Sequence, residues 1–278
     1  MSLNVVIFTS FYSIIIISVL LGCDTAVNSS SICKKNPDIC DDLHQDSWCR
    51  IEKSDLIGSR LITKHEQPTS GKALYSQLIH LEKYNKCIEL ASGVKHILAP
   101  KRTNDRVRAF GLSSQSLAEL QVLTKESHNV HLAFYHWMRF NDQIAKNKVL
   151  HAMQLNLIDD INILANIASH FQKYDLNKAK ATYLDVLNRS SQDNFKPEWL
   201  LGLANTYQKL DNAAFTYLLS RANILMTDNQ VSEKKMLMII DGDTTLQASL
   251  DIQAKNLADA LGEGHYPSSE IKRILEKE

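Results

Sequence analysis

Apolar side chains first recur with a helical period after Gly71. Leu74, Leu78, Leu81, Ile88 and Ala91 fall mostly three or four apart, with Tyr75, Ile79 and Tyr84 beside them. That spacing predicts an amphipathic helix, closed near Gly93 and broken at Pro100. Residues 112–196 then contain neither Gly nor Pro, while apolar positions keep the same period. Asn141-Asp142, Asp159-Asp160 and Asp175 supply the breaks instead, and short polar corners of this kind predict antiparallel helix pairs. From Ser232 a further stripe, Leu246, Leu250, Ala254, Leu257, Ala258 and Leu261, predicts a long helix. Gly262 and Gly264 stop it, and Pro267 opens a short charged terminal helix. The pattern predicts an all-α protein.

Part of this pattern repeats. Leu164, Ile167, Ala168 and Phe171-Gln172-Lys173-Tyr174-Asp175 match Leu200, Leu203, Ala204 and Tyr207-Gln208-Lys209-Leu210-Asp211 at an offset of 36. Thr182-Tyr183-Leu184 matches Thr216-Tyr217-Leu218 at an offset of 34, so a two-residue deletion in the second corner is expected. A fainter copy precedes them at Leu132-Ala133, Ala145, Val149 and Ala152. Large residues beside a small Ala, with an aromatic three later, put one helix face in close contact with a partner. The unit resembles the tetratricopeptide repeat, a helix-turn-helix of about 34 residues. The resemblance covers about residues 126–232 and implies antiparallel helix-hairpin repeats in an α-solenoid, with an irregular helical bundle as the alternative. Residues 233–278 would cap the stack, and the helical domain as a whole would span 71–278. The usual corner Gly is missing, and Asp175 and Asp211 stand near its place. In such repeats the first helices line a concave surface. Transferred to this chain, the groove positions are Asn162, Ser169, Gln172 and Lys173, then Glu198, Asn205, Gln208 and Lys209.

Composition narrows the class. The 278 residues include only 9 Gly and 5 Pro, less than half the usual share of about 12%, which disfavours turn-dense β architectures. Lys+Arg and Asp+Glu are both 31, so nothing in the net charge points to nucleic acid.

The start of the chain reads as an address. Residues 1–22 carry no charged side chain and end Leu20-Leu21-Gly22-Cys23. An apolar stretch closed by small residues is the pattern of a secretory signal, and Leu-Leu-Gly-Cys resembles the bacterial lipobox. That resemblance implies cleavage after residue 22 and lipidation of Cys23. Asp24 implies retention at the inner membrane, with the outer membrane left open. The n-region lacks Lys or Arg, so an uncleaved membrane anchor is the alternative.

Residues 24–32 read as a tether, and 33–70 as an irregular or short-helical cap held by cysteines. Cys33, Cys40, Cys49 and Cys87 form an even set that allows three pairings in an oxidising compartment. Cys33–Cys40 and Cys49–Cys87 is the preferred pairing; free thiols or a metal site with His44 are the alternatives. Residues 101–108 form a basic stretch expected to be a solvated connector.

Ile32-Cys33-Lys34-Lys35-Asn36-Pro37, Trp48-Cys49-Arg50, Asp55-Leu56-Ile57, Lys86-Cys87-Ile88-Glu89-Leu90-Ala91 and Tyr135-His136-Trp137, with the lipobox, resemble an uncharacterised family of lipoproteins from Gram-negative bacteria. That family carries a domain of unknown function, so the resemblance implies a location and no activity.

Chemistry is sparse. His128, His131 and His136 cluster in sequence, but His131 and His136 point about 140° apart on a helix, and there is no metalloprotease spacing. Asp241-Gly242-Asp243 lacks the ligands of a calcium loop and is expected to turn the chain and cap a helix. Trp137 is expected in the core. Neither a Gly-rich phosphate loop nor a Gly-x-Ser-x-Gly elbow is present. The expectation is a non-enzymatic, cofactor-free, membrane-tethered lipoprotein facing the periplasm. It would hold a protein or peptide partner in its groove and bind no nucleic acid. An envelope enzyme, or a lipoprotein binding a metal or small ligand, is the alternative.

Overall fold

The computed structural model describes residues 28–277; residues 1–22, expected to be a signal segment, and Cys23 and Asp24 lie outside them. Among the described residues the regular elements are thirteen α-helices and three single 3-10 turns, with no strand. The chain divides into two compact units, one holding residues up to Gln67 with Ile79–Leu117, the other Pro68–Leu78 with Ala118 onward. The division falls inside two helices, α3 (Gly71–Ser92) and α4 (Pro100–Thr124). The cysteine-bearing segment therefore does not stand apart from the helical part at residue 70; it shares a unit with parts of α3 and α4.

In the first unit, α1 (Ser29–Lys35) and α2 (Arg50–His65) precede α3. The four and a half turns of α2 are longer than the irregular or short-helical cap expected there. The helix buries only Leu56, Ile57 and Ser59, a stripe too narrow to stand out in a polar sequence. In the same unit Leu81, Tyr84, Ile88 and Ala91 of α3 and Ala109 of α4 are also buried. Two disulfides hold the segment, Cys33–Cys40 and Cys49–Cys87, the preferred one of the three pairings. The basic stretch 101–108 is also corrected: it forms the first two turns of α4 rather than a connector.

In the second unit the helices pack as neighbouring pairs: α5 (Val130–Phe140) on α6 (Gln143–Gln154), α7 (Ile161–Phe171) on α8 (Leu176–Arg189), α9 (Glu198–Lys209) on α10 (Ala213–Leu225). The polar breaks do the work expected of them. Asp142, Asp160 and Asp175 cap α6, α7 and α8 through backbone N–H groups, and Asn212 caps α10. Left-handed backbone, the usual province of glycine, falls to Asn141, Asn156 and Asp211, residue types that tolerate it best after Gly. Asp175 is extended (φ −154°) and acts as a cap only.

The matched positions Leu164, Ile167, Ala168, Leu200, Leu203, Ala204 and Tyr207 are all buried. The second helices keep the same offset as the first. Ala179, Thr182, Tyr183, Val186 and Leu187 on α8 are buried, and so are Phe215, Leu218, Leu219, Ala222 and Asn223 on α10, each 36 residues later. Thr216 and Tyr217 are buried as well, but only the offset of 36 pairs all five buried positions of α8 with buried positions of α10, so the two-residue deletion is not needed. Tyr217 lies in the same core and donates its hydroxyl to Asp251 on α12 (Thr244–Gly262).

After α11 (Glu233–Leu237) the chain turns through Asp241 and Gly242, both at positive φ. Asp243 then caps α12. The expected stripe is buried from Leu250 to Leu261, whereas Leu246 is partly exposed. With α13 (Glu270–Glu276) it joins the core of α8, α9 and α10, where the Tyr207 hydroxyl donates to the Leu275 carbonyl.

Candidate functional site

The first helices of successive pairs carry a strip of polar residues. On α7 and just beyond it the exposed polar positions are Asn162, Asn166, Ser169 and Lys173, with Tyr174 exposed next to them; on α9 they are Glu198, Asn205, Gln208 and Lys209, with the apolar Leu201 among them. Spacings of three and four put each set along one helix face. Seven of the eight groove positions are thus exposed. Gln172 is the exception. Its amide donates to the Gly202 carbonyl and to Thr206 Oγ1, and its side-chain oxygen accepts from Asn205 at 3.4 Å. Lys209 Nζ donates to the Gln172 carbonyl. Gln172 therefore joins α7 to α9 instead of waiting for a ligand. The close approach of these helices explains the role: a Cβ on Gly202 would stand 2.3 Å from the Tyr183 hydroxyl, which itself hydrogen-bonds the Ser169 side chain. The sequence reading missed Asn166, although it stands one turn from Asn162. It also missed Thr206, which nothing marks before the seam is seen.

Trp137 is buried, edge-on to His170 with ring centroids 4.8 Å apart. The three clustered histidines go to different partners. His128 is exposed. His131 lies 3.5 Å from Asp160 and packs against Tyr75. Its imidazole, followed by the Asn162 side chain and N–H, holds the Asp160 carboxyl well below the usual carboxylate range. His136 is buried beside Thr124, with Nε2 3.0 Å from Oγ1. The Thr124 hydroxyl donates to the Leu120 carbonyl at 2.8 Å, so it accepts from His136 Nε2–H. That leaves Nδ1 as the acceptor nitrogen of a neutral ring, and burial pushes this histidine's pKa down. His136 lines a cavity of about 460 Å³ with Ala118, Val122 and Phe140 as apolar walls and Lys125 and Asp142 as charges.

The first unit holds a second polar cluster. Buried Arg106 pairs through Nε and Nη2 with Asp46. Its Nη1 donates to the carbonyls of Ala91 and Val94 at the end of α3, where a cation complements the helix dipole. The guanidinium lies 4.9 Å from the centre of the Trp48 ring. His44 donates from Nε2 to the Trp48 carbonyl at 2.7 Å and accepts at Nδ1 from the Tyr84 hydroxyl at 2.9 Å. Burial pushes His44 down and Tyr84 up to about 12. Arg108 donates to the carbonyls of Asp41 and Leu43. The basic stretch thus binds the cysteine loop, and every member of this cluster has a structural partner. Among the described residues one group has three ligand atoms close together, Cys49, Glu52 and Cys87, and its two sulfurs are joined in a disulfide.

No helix among the described residues is long and apolar enough to cross a membrane. A family model described as a protein of unknown function (DUF2989) matches residues 20–221. No curated protein and no solved structure matches the chain.

Proposed function

The chain belongs to the DUF2989 family, whose function is unknown, and from that premise we propose that it is a membrane-tethered periplasmic lipoprotein acting as a protein-interaction scaffold. One observation carries the scaffold reading. Three exposed polar pairs along α7 and α9 recur at an offset of 36, Asn162 with Glu198, Ser169 with Asn205 and Lys173 with Lys209, and Gln172 braces the strip they form. Repeated polar side chains at fixed spacing suit an extended peptide, whose backbone offers amides at regular intervals. The paired helices are consistent with a tetratricopeptide-like stack, closed at its end by α12 and α13. The lipobox-like Leu20-Leu21-Gly22-Cys23 supports a lipid anchor. Two disulfides support an oxidising compartment, because disulfides rarely persist in the cytosol.

Pull-down from detergent-solubilised envelopes tests the scaffold. The full chain should retain a reproducible partner that Asn166→Ala with Gln208→Ala releases; retention by that variant would move the site elsewhere. Labelling with radioactive palmitate tests the anchor. No label on the wild type, or label that survives Cys23→Ala, would refute it.

The cavity beside His136 favours a second reading, a lipoprotein that holds a small ligand. Its apolar walls and neutral acceptor nitrogen suit a hydrogen-bond-donating apolar molecule. Native mass spectrometry of the purified chain should then show a bound species that Ala118→Trp displaces, and an empty chain would exclude this reading.

A further inference from the structure

The connection from α3 to α4 presents its apolar side chains to solvent. Ile97 is 89% exposed and Leu98 93%, with Val94 at 45%. Loops normally turn such residues inward, yet this one is fixed with them outside. The His96 N–H donates to Thr103 Oγ1 at 2.9 Å, and the Ala99 N–H to His96 Nδ1 at 3.1 Å. Arg106 holds the Val94 carbonyl from beneath. The tip is therefore built, with its backbone groups tied down and its large side chains presented.

Along the loop itself the charge has one sign, with the acidic Glu89 and Asp105 just outside it. Residues 90–104 contain no acidic side chain, whereas Lys95, Lys101 and Arg102 are all exposed. An apolar tip with exposed cations close on either side in the chain matches the layering of an anionic bilayer, with hydrocarbon beneath and phosphate above. We propose that this loop inserts into an anionic lipid surface, with Ile97 and Leu98 entering the acyl region and the three cations meeting headgroup phosphates. This contact does not depend on a lipid on Cys23. Where both are present, the loop adds a second attachment point that sets which side of its unit faces the membrane.

The test uses the full chain carrying Leu98→Trp, a site whose exposure leaves no packing to lose. The chain is bound to phosphatidylglycerol vesicles with plain or brominated acyl chains, and flotation confirms binding. The emission added over wild type should be quenched by the brominated lipid. It should stay unquenched on phosphatidylcholine vesicles, where the cations have no counterpart. Changing Lys95, Lys101 and Arg102 together to Gln should lower the inserted-to-free ratio by about a hundredfold. Ile97→Trp should repeat the result. A chain that floats with anionic vesicles but shows no bromine quenching at either position would overturn the inference. So would a tip shielded from iodide only after envelope proteins are added, because the surface would then serve a protein.

Discussion

Replacing Gly202 with alanine sets two effects of known size against each other. In a helix interior the change gains about 1 kcal/mol of propensity. Here the new Cβ would meet Tyr183 Oη at 2.3 Å, Cζ at 2.5 Å and Cε1 at 2.9 Å, where unstrained carbon contacts lie at about 3.5–4.0 Å. The ring must retreat by about an ångström, and it is 4% exposed. Overpacking of this kind costs about 1–3 kcal/mol. Moving the hydroxyl off Ser169 adds about 1 kcal/mol. The clash outweighs the propensity, and the expected net loss is about 1–3 kcal/mol. Gly111, inside α4 with nothing within 4 Å of its Cβ position, is the control: Gly111→Ala should stabilise by up to about 1 kcal/mol. Urea unfolding followed by far-UV circular dichroism reads both. A double-mutant cycle with Tyr183→Leu isolates the contact, since Gly202→Ala should become neutral or stabilising once the ring is gone. Gly202→Ala that stabilises as Gly111→Ala does, or a loss that persists without Tyr183, would refute the reasoning.

Arg106→Met should cost about 3–5 kcal/mol, because it strands the largely buried Asp46 carboxylate; adding Asp46→Asn should recover part of that loss in a double-mutant cycle, and simple additivity would argue against the pair. In the chain-entropy relation, removing Cys49–Cys87, with its separation of 38, should cost about 4 kcal/mol, against about 2.4 for Cys33–Cys40 with its separation of 7. Unfolding midpoints of the two double-serine variants check that order. Burial lowers the pKa of His44, His80, His136 and His170. The unfolded chain therefore binds protons first, and stability should fall as pH drops below about 6.5. For Asp160, held low chiefly by His131, stabilisation is present above about pH 3.9 and lost as pH falls through the lower folded value. A urea midpoint unchanged between about pH 7.5 and pH 5 would count against the histidine account.

The helices were legible where burial is periodic. Leu164, Ile167 and Ala168 recur as Leu200, Leu203 and Ala204 because both sets fill the same kind of interface. The polar corners were legible because Asp and Asn cap helices through local bonds. The second-helix register was misread because Thr-Tyr-Leu recurs as letters while Tyr217 serves a different neighbour, Asp251. α2 was hidden because a helix burying three residues leaves a mostly polar sequence. Arg106 and Arg108 looked solvated because their partners, Asp46 and the carbonyls of Asp41 and Leu43, lie some sixty positions earlier. Gln172 was placed on the correct helix end, but its part in the seam depends on the Gly202 carbonyl that only packing brings near.

The unbroken 36-residue register of α7–α8 and α9–α10 bears on how this chain can change length. One residue added inside α8 or α10 would rotate everything beyond it by about 100°. On α10 that would swing polar or charged side chains such as Arg221 toward the position of Ala222, against the core. Substitutions that keep volume can be absorbed, but insertions and deletions within these helices cannot. Length variation among family members should therefore collect in the corners, at residues 172–175, 190–197 and 210–212.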